Sequence, residues 1–303
     1  MAAPDNNISQ AGWYVMMTNL YETGWHDGLG GNISGWEHNY SAHIKNAMVY
    51  AEAAHWAAGE YVQDVNAYFS DIDNDGYDEL VIHNTAVFGV IEGIGGRMTH
   101  IFTRDGGGHV VLGVDNAYWS GTNADYNDAN HVAAFSDVSP NYQNDLYDLE
   151  IIGNTATTAT VRMTHNEVTR DVAVDLSSSF FDVVYRVGAS DHWWQAGFSP
   201  SLVDLIWNAQ MDRVWDPGSG HMGFRNPNTG IAAGWLLGSG GAAHQHEFSG
   251  TLMKGDELTG SGTMQMRLFA GYDPDGSIMA ALSTALIDTI GPLPTSVTIM
   301  SGA

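Results

Sequence analysis

Asp71, Asp73, Asp75 and Glu79 set carboxylates at positions 1, 3, 5 and 9 of the run Asp71-Ile72-Asp73-Asn74-Asp75-Gly76-Tyr77-Asp78-Glu79. Alternate side chains in a tight turn converge on one point, Gly76 permits the sharp bend, and the Tyr77 carbonyl can donate at position 7. Hard oxygen donors in this arrangement suit Ca2+. A complete EF-hand is not expected, because the run stops where a helix should begin and the apolar Leu80-Val81-Ile82 follows instead. The alternative reading is a solvated acidic turn, which Asp, Asn and Gly also favour.

Aromatic rings beside polar side chains suggest a second kind of chemistry, in which a flat ring covers the C–H face of a pyranose while its neighbours bond the hydroxyls. Three places have this make-up: Trp25-His26-Asp27, Tyr118-Trp119 with Asp125-Tyr126-Asn127-Asp128, and Asp191-His192-Trp193-Trp194. The candidate sugar-contacting residues are Trp25, His26, Asp27, Tyr118, Trp119, Asp125, Tyr126, Asp128, Trp193 and Trp194. Packing in a core or at an interface competes with that role, since tryptophans are heavily buried on average. Glycoside hydrolysis needs two carboxylates flanking the bond, and Glu22 and Asp27 are the best-placed acids, followed by Glu37 and Glu60. Helix-end and turn roles suit all four, so no catalytic pair is assigned.

The elements that must carry these residues change character once along the chain. Residues 1–60 read as helix, loop, helix. Ser9 caps a first helix with Trp13, Met16, Met17, Leu20 and Tyr21 at helical spacing, and Ser41 to Ala58 forms the second. Two such helices need a surface to pack on, either the β-domain that follows or a part not present. Residues 61–303 read as strands and turns, with runs at Val62 to Phe69, Glu79 to Asn84, Val87 to Ile91, Met98 to Thr103 and His109 to Val114. Further strands are expected at Tyr147 to Ile152, Thr158 to Thr164, Thr169 to Asp175, Phe181 to Val187, Gly230 to Leu237, His244 to Phe248, Thr263 to Ala270 and Ser277 to Leu286. Residues 115–145 show little periodicity, Pro200 to Asn208 suits a short helix, and Asp273-Pro274-Asp275-Gly276 suits a hairpin turn. The fold class expected is mainly β: a large antiparallel β-sandwich, or super-sandwich, preceded by an N-terminal helical segment.

Composition narrows the partners. Ten Lys and Arg against 35 Asp and Glu leave a formal charge of -25 over 303 residues, which argues against nucleic acid or an anionic membrane surface. The acids are spread along the chain, as in soluble secreted or salt-adapted proteins, and not gathered into a disordered tail. Zero cysteines exclude disulfides, thiolate catalysis and Cys-based zinc sites. No apolar run approaches the roughly 18 residues of a membrane-spanning helix. The many Gly, Trp and Tyr lean towards an extracellular β-protein, and the start Met1-Ala2-Ala3-Pro4 is no leader, so secretion supposes a leader not present in this chain.

Tyr21-Glu22-Thr23-Gly24-Trp25-His26-Asp27-Gly28, Gly30-Gly31, Trp36-Glu37-His38 and the segment Ser41 to Trp56 resemble the end of the catalytic region of glycoside hydrolase family 57. Ala57 to Tyr61, the acidic loop, Asp125 to Asp128, His131 and Ser136 to Tyr142 are similar to the β-rich region of amylopullulanase-type members, as are Phe198-Ser199-Pro200, Leu202, Asp204, Leu205 and Gly223-Phe224-Arg225-Asn226. In that family the nucleophilic Glu and general-acid Asp lie on barrel strands upstream of the helical region, so the resemblance implies a C-terminal portion lacking the catalytic barrel and carries over no catalytic residue. The function expected is therefore a non-catalytic, calcium-stabilised module associated with α-glucan polysaccharide. A self-assembling extracellular protein, a homo-oligomer or filament or surface-layer subunit, is the alternative, and an active glycosidase the third reading.

Overall fold

The structure is a computed structural model and describes residues 2–23, 35–113, 134–139, 142, 145–198, 212–216, 221–239, 242–248 and 252–290. It is mainly β, as expected, with two antiparallel sheets and helices on their outer sides. The first sheet is a five-stranded meander of β1 (Asn66–Ser70), β2 (Glu79–His83), β3 (Val87–Glu92), β4 (Arg97–Thr103) and β5 (His109–Gly113), in that spatial order. The second has ten strands: β6 (Ser136–Ser139), β7 (Asp148–Asn154), β8 (Thr158–His165), β9 (Val168–Asp175), β10 (Phe180–Phe198), β11 (Asp212–Asp216), β12 (His221–Arg225), β13 (Ile231–Ser239), β14 (Ala242–Phe248) and β15 (Leu252–Tyr272). Its main path runs β11-β12-β13-β15-β10-β9-β8-β7, with β14 on β15 and β6 on β10.

The hydrophobic pattern explains the layering. β8 and β9 alternate inward apolar with outward polar residues, as a sheet with one covered face requires. β2, β3 and β4 are buried at every position, because both of their faces are covered. One face meets the second sheet through Leu80, Ile82, Ile91 and Ile101 against Val161, Val172, Phe181 and Trp235. The other carries Val81, Phe88, Val90 and Phe102 against α1 (Asn7–Thr23) and α2 (Gly35–Ala57), which contribute Ile8, Val15, Tyr50, Ala53 and Trp56. Of the two surfaces open to the helices in the sequence reading, they occupy the first sheet. Asn84 fastens all three layers at one turn. Its carbonyl accepts Trp56 Nε1 at 2.8 Å, while its side-chain amide donates to the carbonyls of Asp175 and Ser178 in the β9–β10 turn.

Four local readings are corrected. Asn6, and not Ser9, opens α1: its Oδ1 accepts the Ser9 N–H at 3.0 Å, and Ser9 Oγ accepts the Asn6 N–H at 3.1 Å, a reciprocal capping pair. α2 begins at Gly35, several residues before Ser41. Within the aperiodic stretch 115–145, β6 forms because its backbone pairs with β10. Ser277 to Leu286 is helical, part of α3 (Ser277–Ile290), and Asp273-Pro274-Asp275-Gly276 is its entry and no hairpin. The Asp273 carboxylate accepts the N–H groups of Ile278 and Met279 at 3.1 and 2.9 Å and starts the helix. The helix expected at Pro200 to Asn208 lies outside the described residues.

Candidate metal centre

The loop between β1 and β2 is held by its own backbone donors. Asp71 accepts the N–H groups of Asp75 and Gly76 at 2.9 and 3.1 Å, and Asp73 Oδ1 accepts Asp75 N–H at 3.1 Å. Asn74 and Gly76 take φ of 60° and 94°, left-handed conformations that Asn and Gly tolerate, and these two residues reverse the chain. The Asp71, Asp73 and Glu79 carboxylates then converge, with one oxygen from each lying within 4.8 Å of the others.

Glu79 is the most informative member. It is 2 % exposed, its Oε2 accepts the Ile72 N–H at 2.8 Å, and its Oε1 is buried without a hydrogen-bond partner. An unsatisfied buried carboxylate oxygen is costly, more so beside like charges. Burial first, and then Asp73, Asp75 and Asp71 despite the Ile72 hydrogen bond, push the Glu79 carboxyl up to about 7. A divalent cation would relieve both the missing partner and the crowded charge, and the donors are oxygens of the hard type.

Asp75 departs from its expected place. Its Oδ1 accepts Tyr77 N–H at 2.8 Å and its Oδ2 lies 3.7 Å from Lys45 Nζ on α2, so it ties the loop to the helical layer. The Tyr77 side chain is 75 % exposed, which leaves its backbone carbonyl as its expected contribution. Trp193 and Trp194 lie within β10, their backbones paired with Thr259 and Leu258 of β15. Trp25, His26, Asp27, Tyr118, Trp119, Asp125, Tyr126 and Asp128 lie outside the described residues.

Sequence reasoning missed a charged cluster between the sheets. Arg170, fully buried, donates to the carbonyls of Gly95, Gly96 and Phe135 at 3.0, 2.8 and 3.0 Å and to Asp137 Oδ2 at 2.8 Å. The Tyr147 and Tyr185 hydroxyls donate to the same carboxylate. A readable signal existed, because Arg170 is in phase with the inward Val168, Val172 and Val174.

No family model and no curated protein matches the chain. Among solved structures, YidC from Thermotoga maritima is 11 % identical with a TM-score of 0.41, covering 75 % of this chain and 57 % of that one. Its periplasmic domain is 12 % identical with a TM-score of 0.39, covering 69 % and 94 %. The 4-alpha-glucanotransferase from Thermococcus litoralis is 8 % identical at 0.39, covering 77 % and 42 %, and a family 81 glycoside hydrolase from Clostridium thermocellum is 11 % identical at 0.36, covering 68 % and 22 %. The chain is thus weakly similar to proteins of glycoside hydrolase and transferase type, and its likeness to family 57 stands as a resemblance without a family assignment. The expected extracellular placement is corrected by the same comparison, in which YidC and its periplasmic domain stand among the similar structures. No described helix is long and apolar enough to cross a membrane.

Proposed function

We propose that this chain is a non-catalytic, carbohydrate-associated β-sandwich module whose first sheet is stabilised by Ca2+ in the Asp71–Glu79 loop. The observation that carries the cation is the convergence of Asp71, Asp73 and Glu79 around a buried, unpartnered Glu79 oxygen. The non-catalytic role rests on the resemblance to family 57, which carries over no catalytic residue to this chain. The polymer class, α-glucan, is supported by the resemblance of residues 20–140 to family 57. Calorimetric titration with Ca2+ and affinity electrophoresis in gels containing starch or pullulan test the two halves separately. Saturable calcium uptake and retardation by glucan are expected. Absence of heat on Ca2+ addition overturns the cation, and unretarded migration overturns the glucan.

A second reading, self-association, draws on the exposed apolar side chains of the helical layer: Trp13 is 58 %, Met17 43 % and Met48 46 % exposed. Light scattering that stays at the 32.7 kDa of one chain over a wide concentration range excludes it.

A further inference from the structure

Two imidazoles lie beneath the helices, on the side of the first sheet opposite to the inter-sheet core. His83 comes two residues after Val81 on β2 and His100 two before Phe102 on β4, so strand alternation turns both towards α1 and α2. Each is 1 % exposed. Tyr50 of α2 meets His100 edge-on with ring centroids 6.0 Å apart, and Phe102 stacks on it at 6.1 Å. His100 Nδ1 lies 3.0 Å from Thr99 Oγ1, whereas its Nε2 has no partner. His83 is packed between Tyr61, 4.9 Å away, and Phe88, 6.0 Å away, and neither of its ring nitrogens reaches full hydrogen-bond geometry, the Asn84 backbone being the polar group beside it.

We propose that the helical layer is an acid-released clamp: proton uptake by His83 and His100 frees α1 and α2 from the five-stranded sheet while the inter-sheet core stays folded. The neutral rings are tolerated there because the surroundings are aromatic and apolar. An imidazolium in the same place would be a buried charge with no carboxylate bonded to it.

The charged surroundings do not rescue the cation. Tyr61, Tyr68, Asp64 and Arg104 face His83, and Glu52 of α2 is engaged by the Tyr61 hydroxyl at 2.5 Å. Burial dominates and, with Arg104 adding to it and the Asn84 backbone and Asp64 opposing, holds His83 down to about 4. The titratable group facing His100 is the Tyr50 phenol, itself pushed up by burial, and burial alone holds His100 down to about 3. The docked state therefore binds fewer protons than the released state between those values and the ordinary histidine range. Docking is complete above about pH 6.5 and is lost progressively as pH falls below it. Release would uncover Tyr50, Trp56, Phe88 and Phe102, an aromatic surface hidden at neutral pH.

Hydrogen exchange followed by mass spectrometry on the full chain, corrected for intrinsic rates, tests this between about pH 7 and pH 4. Peptides of α2 covering residues 45–57 should lose at least about tenfold in protection as pH falls, while β9 and β10 keep theirs. In the double variant His83→Phe with His100→Phe, that loss should shift to lower pH or vanish. Should the variant fail to fold, nitrogen NMR of the wild-type histidines gives the same information, because both rings must become cationic as α2 loses protection. Unchanged α2 protection at the acid end overturns the clamp. So does an identical loss in the double variant, or release of α2 while both rings remain neutral.

Discussion

Arg170 falls on the inward phase of β9, so the alternation of the strand carries a guanidinium into the space between the sheets. Removing that charge from water is expensive, and the environment offsets the cost with four hydrogen bonds and with the rings of Phe135, Tyr147 and Tyr185 at 5.3, 4.6 and 5.7 Å. Burial opposes the charge, yet Asp137, with lesser help from Tyr147 and Tyr185, keeps the guanidinium protonated. Breaking such a set from one side leaves the other side stranded. Asp137→Ala should cost about 3–5 kcal/mol, since it leaves Arg170 buried without its counter-ion. Tyr185→Phe, which removes one donor from an anionic acceptor, should cost about 1–3 kcal/mol. Denaturant unfolding of the two variants checks the order, and an Asp137→Ala protein as stable as Tyr185→Phe would show that the ion pair contributes nothing beyond a hydrogen bond.

α3 illustrates how one element depends on a partner strand. Met279 and Leu286 settle on Ala232, Leu236 and Phe269 of the second sheet. The close approach is permitted by Gly223 on β12: a Cβ there would lie 2.6 Å from the Ala233 carbonyl oxygen and 2.7 Å from Met279 Sδ. The methionine tip can swing away, but the backbone carbonyl cannot. Gly223→Ala should therefore destabilise by about 1–3 kcal/mol, and truncating Met279 in the same chain should not restore the loss. Exchange protection of residues 277–290, compared across the three chains, checks both statements. This element also marks where local sequence misleads. β8 and β9 were legible because period-2 alternation is intrinsic to a strand with one covered face, whereas the run Ser277 to Leu286 holds β-formers and helix-formers together. What decides it is the pair of hydrogen bonds from Ile278 and Met279 to Asp273, a cap that also reads as a turn. The acidic loop divides in the same way. Asp71, Asp73 and Glu79 converge through spacing within one turn, which the sequence displays. Asp75 is drawn towards Lys45, a residue of a helix in another layer, and no local pattern encodes that contact.

Across the whole molecule, two electrostatic effects act in the same direction and have to be separated. A formal charge of -25 repels itself in the compact state, so any salt should raise the melting temperature by screening. Ca2+ screens as well, and on the proposed reading it would additionally bind the folded loop alone, a contribution that grows with ligand excess and reaches about 2.7 kcal/mol at a hundredfold the dissociation constant. Comparing CaCl2 with NaCl at equal ionic strength removes the common part. Glu79→Gln makes the comparison sharper, because the amide keeps an oxygen for the Ile72 N–H while it removes one charge from a crowded acidic site. In excess chelator the variant has less repulsion to contain and should melt no lower than the wild type. In Ca2+ the order should reverse, since the wild type gains a ligand that the variant has lost. A crossing of the two proteins between chelator and calcium is a signature that general screening cannot produce. Parallel responses to CaCl2 and to matched NaCl in the wild type would leave the acidic loop as a solvated turn.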